Sequence, residues 1–221
     1  QPKGKILIFW GCGEHARPGQ PLVIDLAQVS AGKAPNGMAA LGRGLNITPM
    51  TPPSPGRNAT YGEWPNPRSR TSVPGNGSLI GDHLIRGNYA PEIRFSLGAG
   101  QDFLGPLNLV RNDITPTGAG QLNWAAVPGA QAYMATAMGG REDGTMVMWS
   151  SSEVQTAAFA LPDYLSNSDL SRLVTQKALM APATLACTIP QEVVKAAPEA
   201  MINLAAYGAE TNLSWPPRPA D

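Results

Sequence analysis

Between Ala31 and Ser78 the chain runs through eight prolines and eight glycines in 48 positions, with Asn, Ser and Thr filling 13 of the other 32. Few helices or strands can grow between such breakers, because proline lacks an amide donor and glycine loses the most conformational freedom on folding. Unstructured stretches of this length are uncommon inside domains unless they are functional or disordered. Ordering each backbone residue costs roughly 1–2 kcal/mol, so an ordered ribbon needs a folded surface to hold it. Its charges are Lys33, Arg43, Arg57, Arg68 and Arg70 against Glu63, a net +4. With 16 basic and 16 acidic residues overall, the remainder carries −4. The sequence predicts an extended interaction arm over 31–78, with Tyr61, Trp64, Arg57, Arg68 and Arg70 as its binding residues.

Outside the arm the same punctuation argues for short strands rather than a helical bundle. Apolar runs separated by turns fall at Ile6–Trp10, Leu22–Leu26, Ser78–Ile80, His83–Arg86, Ile93–Leu97 and Leu107–Val110. Further runs follow at Gln121–Trp124, Tyr133–Met138, Met146–Trp149, Leu185–Ile189 and Met201–Tyr207. A helical period appears over Asp169–Gln176, with Ser168 as the expected N-cap, and a second short helix over Gln191–Ala197 begins after Pro190. The expected fold is all-β and sandwich-type, in two lobes, with one or two short helices. The first lobe covers 1–110 and includes the arm, and the second covers 111–221.

The stretch Leu122-Asn123-Trp124-Ala125-Ala126-Val127-Pro128-Gly129-Ala130-Gln131-Ala132-Tyr133 resembles the opening of fibronectin type III domains. Those domains show a Leu-x-Trp strand, a Pro-Gly-Ala turn and a Tyr in the next strand. Leu122 and Trp124 would share one face, the turn would reverse the chain, and Tyr133 would pack opposite. The resemblance extends loosely over about residues 108–215 and implies a β-sandwich. It implies nothing about function, because that fold serves many roles. Two helices between residues 160 and 198 depart from a plain module of this type.

Candidate chemistry is sparse. Cys12 and Cys187 are the only cysteines, and they read either as a disulfide or as two buried thiols. Cys12, His15, His83 and Cys187 could together ligate zinc, although only Cys12 and His15 have ligand-like spacing. A hydrolase or thiol enzyme would use Cys12 as nucleophile with His15 or His83 as base. A serine triad could combine Asp82 and His83 with Ser150, Ser151 or Ser152, but no nucleophile-elbow motif accompanies them. Glu142 and Asp143, flanked by glycines, read as a solvated hairpin tip. The expected catalytic set, metal site and cofactor are therefore none.

Zero net charge removes the footprint of a nucleic-acid binder. No segment is apolar enough for a membrane-spanning helix, since 114–140 is uncharged but broken by Pro, Gly, Asn and Gln. A chain starting at Gln1 without a leader fits a mature bacterial exported protein, periplasmic or extracellular. The expected role is a non-enzymatic accessory subunit that docks on a protein partner, or on further copies of itself, through the arm. The alternative is a carbohydrate-binding or surface-adhesion module using Tyr61, Trp64, Tyr89 and Trp215.

Overall fold

The computed structural model describes residues 4–33, 45–47, 53–66, 68–157 and 161–217. Among the described residues strands dominate and are arranged in three sheets, with few helices. The chain divides into two units, and each is built from two separate pieces of sequence. The first takes Gln1–Ile47 and Leu104–Ala209, and the second takes Thr48–Phe103 and Glu210–Asp221.

The first unit contains β1 (Lys5–Trp10), β2 (Leu22–Asp25), α1 (Leu26–Ser30), β5 (Leu109–Ile114), β6 (Gly120–Trp124), β7 (Ala130–Gly140) and β8 (Met146–Ser150). It continues with α2 (Asn167–Thr175), β9 (Ala186–Ile189), α3 (Gln191–Ala196) and β10 (Met201–Gly208). The second unit holds the hairpin of β3 (Gly81–Gly87) and β4 (Ala90–Leu97).

A five-stranded sheet runs in the order β10-β7-β8-β1-β2, and a three-stranded sheet in the order β5-β6-β9. β1 lies parallel to β8, with Phe9 opposite Trp149, whereas the other pairs are antiparallel. This pairing overturns the expected division near residue 110. The opening strand completes the sheet of the carboxy-terminal half, because its odd positions fill the same core.

Side-chain alternation explains how β7 can be buried on both faces. Tyr133, Ala135 and Ala137 point into a cluster with Phe9, Leu122, Trp124, Val147, Trp149, Cys187 and Ile189. Residues from both sheets thus share one core. Ala132 and Met134 point the other way, onto Leu165, Leu170 and Leu173 of the α2 region. Leu122 and Trp124 are buried together, and the Trp124 and Tyr133 rings stand 5.4 Å apart at 59°. The Tyr133 hydroxyl accepts the Val127 amide at 3.0 Å, and Gly129 makes the intervening turn at φ +85°. At Gly139 a Cβ would lie 2.8 Å from that of Ala197, so the absence of a side chain lets β7 approach the segment after α3.

Three local expectations need correction. Leu26 opens the helix α1 instead of closing a strand, because the Asp25 carboxylate caps it, so the described residues hold three helices and not one or two. Ser166, not Ser168, caps α2, its hydroxyl accepting the Asp169 amide at 3.1 Å. Ser78–Ile80 is not a strand, since the hairpin begins at Gly81. No described helix is long and apolar enough to cross a membrane.

Candidate interaction surface

Cys12 and Cys187 form a disulfide, with Cα atoms 5.3 Å apart. It joins the turn after β1 to β9 and so links the two sheets of the first unit. Backbone bonds hold the same junction: Gly11 N–H donates to Ser150 O at 2.9 Å, and Gly13 N–H to Thr188 O at 2.8 Å. A bonded sulfur is neither an attacking thiolate nor a zinc thiolate, which removes the readings built on Cys12 in this form.

The histidines are held in separate settings. His15 Nδ1 lies 2.6 Å from Gln191 Nε2 and 3.2 Å from Glu192 Oε1. Burial pushes the Glu192 carboxyl up, but the Ala16 amide at 2.8 Å and His15 outweigh it and lower its pKa. His83 donates from Nε2 to Leu79 O at 2.6 Å and stacks on Phe95 with centroids 5.0 Å apart. Both arrangements orient side chains within their own units. The serines after Trp149 are likewise structural: Ser151 Oγ accepts the Ala135 amide at 2.9 Å, and Ser152 donates to Val154 O at 2.8 Å. Among the described residues, no group of three or more His, Cys, Asp or Glu could hold a metal ion.

The arm is not one body. Leu45 and Ile47 pack against the α2 cluster of the first unit, and Arg172 donates to Asn46 O at 3.1 Å. Residues 34–44, 48–52 and 67, Arg43 among them, lie outside the described residues. From residue 53 onward the arm belongs to the second unit. Within it, Tyr61, Glu63, Asn66 and Arg68 line a cleft of about 480 Å³. The Tyr61 hydroxyl donates to Glu63 Oε2 at 2.9 Å, and this carboxylate raises the phenol pKa. Arg57 Nε reaches Ser54 Oγ at 3.4 Å, Arg70 is exposed, and Trp64 is 68% exposed. Tyr61 and Arg68 are therefore brought together, whereas Trp64, Arg57 and Arg70 do not line that cleft.

The second unit has an unusual property: none of its described residues is buried. Yet Trp64, Ile80, Ile85, Tyr89, Leu213 and Trp215 are all exposed large apolar side chains. Its order comes from polar tethers. Asp102 accepts the Leu79 amide at 2.6 Å, the Ser78 hydroxyl at 2.7 Å and the Phe103 amide at 2.8 Å. These bonds, the Leu79 amide foremost, hold its carboxyl below the usual range. The hairpin pairs Ile85 with Ile93 and His83 with Phe95. Ile85, Ile93 and Phe95 line a groove of about 660 Å³ with Leu213, Trp215 and Pro217 of the tail segment.

Sequence reasoning singled out Tyr89 and Trp215 but missed Ile80, Ile85 and Leu213. A signal existed at Leu84-Ile85, because adjacent strand residues face opposite sides and a two-stranded hairpin cannot cover both. The chain matches no known protein family, no curated protein and no solved structure.

Proposed function

We propose that the protein is a non-enzymatic, exported accessory subunit whose second unit docks on a partner protein. One observation carries the reading: this unit exposes large apolar side chains and buries none of its described residues. A two-stranded hairpin is marginal by itself in water, and large exposed apolar patches mark interaction sites. Docking would supply the missing core, with Trp64, Tyr89 and Trp215 as aromatic anchors.

The first unit is then the scaffold, a sandwich-type body, and the resemblance to fibronectin type III modules over about residues 108–215 falls within it up to Ala209. The shared core of its two sheets and the Leu122, Trp124 and Tyr133 packing support that reading. The disulfide supports an oxidising, periplasmic or extracellular location. A carbohydrate-binding role is the second reading, favoured by the Tyr61, Glu63, Asn66 and Arg68 cleft.

The test uses a fourfold variant, Trp64→Ser, Ile85→Ser, Tyr89→Ser and Trp215→Ser, in cells that make the protein. A partner cross-linked to the wild type is expected to be lost in the variant, while the first unit melts unchanged. Retention of the partner by the variant contradicts docking through this unit. Glycan binding abolished by Tyr61→Ala or Arg68→Ala in that cleft, without any protein partner, selects the second reading.

A further inference from the structure

β5 ends the three-stranded sheet, and no described strand pairs with its outer edge. Every residue from Leu109 to Ile114 is exposed, with Val110 at 72% and Ile114 at 59%. The strand contains neither Lys nor Pro, two usual guards of an open edge. In register, Leu109 lies opposite Trp124, Asn112 opposite Leu122 and Ile114 opposite Gly120. These residues therefore share the face on which Leu122 and Trp124 are buried, yet they are uncovered. The sheet overhangs its own core here.

About its centre the strand is self-complementary. Val110-Arg111-Asn112-Asp113-Ile114 has aliphatic residues at both ends, opposite charges inside them and an amide in the middle. When two copies run antiparallel with Asn112 opposite Asn112, Arg111 of each faces Asp113 of the other, and Val110 faces Ile114. The backbone suits this register. Thr115 N–H donates to Ala119 O at 2.8 Å across the hairpin turn. Successive residues direct their amide groups to alternate edges. Asp113 and Arg111 are thus engaged with β6, whereas Asn112 and Ile114 present theirs outward. Arg111 Nε already holds Asp113 Oδ1 at 2.8 Å and Oδ2 at 3.0 Å, so association joins neutralised pairs instead of desolvating bare ions. The irregularity between Leu109 and Arg111 lies at the end of this ladder.

We propose that β5 is a homodimer interface, with a two-fold axis at Asn112 that joins two three-stranded sheets into one. An isologous contact of this kind closes on itself and leaves no free β5 edge for further growth. The surface belongs to the first unit and does not depend on docking through the second.

Sedimentation equilibrium of charge reversals tests the register. The wild type is expected to dimerise. Arg111→Asp alone and Asp113→Arg alone each put like charges opposite one another twice, weakening the dimer by about tenfold. An equal mixture of the two variants restores wild-type association, because each position then meets its opposite charge. Independently, Asn112→Cys is expected to cross-link on mild oxidation, since directly opposed Cα atoms at about 5.5 Å suit a disulfide. Met201→Cys, on the exposed edge of β10, should not. A monomeric wild type, dimerisation indifferent to both reversals, or a mixture that fails to recover overturns the proposal. Should a reversal impair folding, the Asn112→Cys cross-link decides, and its absence overturns the proposal. The fourfold second-unit variant keeps this dimer, so failure of partner docking and failure of self-pairing are read separately.

Discussion

Replacing Cys12 and Cys187 together by alanine is expected to lower the unfolding free energy by about 5 kcal/mol. The bridge closes 175 residues of chain. In the chain-entropy description, a loop of that length restricts the unfolded ensemble by roughly this amount at 25 °C. The native state also loses contacts, because Cys187 is buried in the main core and Cys12 packs against it. Domains have total stabilities of about 5–15 kcal/mol, so this one bond decides whether the first unit is folded by a wide or a narrow margin. For a chain of this size the melting temperature should fall by about 10–20 °C. The urea m-value should rise, because an uncrosslinked unfolded chain exposes more surface. Wild-type protein unfolded in reductant should reproduce the double variant. A difference below about 1 kcal/mol would mean that the two sheets hold together without their covalent link.

Trp149→Ala is expected to be similarly severe. Trp149 is 0% exposed and sits on β8, between β7 and β1. Its indole Nε1–H donates to Gly11 O at 2.9 Å in the buried junction beside the disulfide. Truncating a buried tryptophan costs about 3–5 kcal/mol, and a stranded carbonyl adds about 1–3 kcal/mol. Trp149→Phe separates the two contributions, keeping much of the ring while orphaning Gly11. Trp124 provides the contrast, since its Nε1 is buried without a hydrogen-bond partner among the described residues. Trp124→Phe removes an unpaired donor and should cost less than Trp149→Phe in chemical denaturation. Equal losses from the two phenylalanine variants would show that the Gly11 bond contributes nothing.

Several strands are legible because their patterns are local. Gln121–Trp124 alternates, and Leu122 and Trp124 are both buried. The Pro128-Gly129 reversal needs only a glycine that tolerates positive φ. What the sequence conceals is either nonlocal or a choice between equivalent groups. Nothing in Ile6–Trp10 says that it will lie parallel to Met146–Ser150, so the division into lobes could not be read. Ser166 and Ser168 are both competent caps, and geometry alone selects Ser166. Asp25 reads as an interior residue of the strand Leu22–Leu26, yet it ends β2, and its carboxylate accepts the Ala27 and Gln28 amides and starts α1. Leu79 and Ile80 look like strand residues, but the Leu79 amide is captured by Asp102.

The candidate interaction surface is legible only in outline. Composition marks the ribbon, and Trp64, Tyr89 and Trp215 mark some of the exposed apolar side chains of the second unit. It does not foretell that Leu45 and Ile47 fill the α2 cluster while residues beyond 53 join the hairpin. Aliphatic residues in a polar ribbon are ambiguous until their partners are known, because the same side chain can serve a core or an interface.

Hydrogen exchange on the free chain, resolved by residue, tests whether the second unit is incomplete by itself. The amides of Gly81–Gly87 and Ala90–Leu97 are expected to be at least about a hundredfold less protected than the interior amides of Ala130–Gly140. Equal protection in the hairpin and in the central strand would mean that the second unit is stable without a partner, and would contradict the docking role.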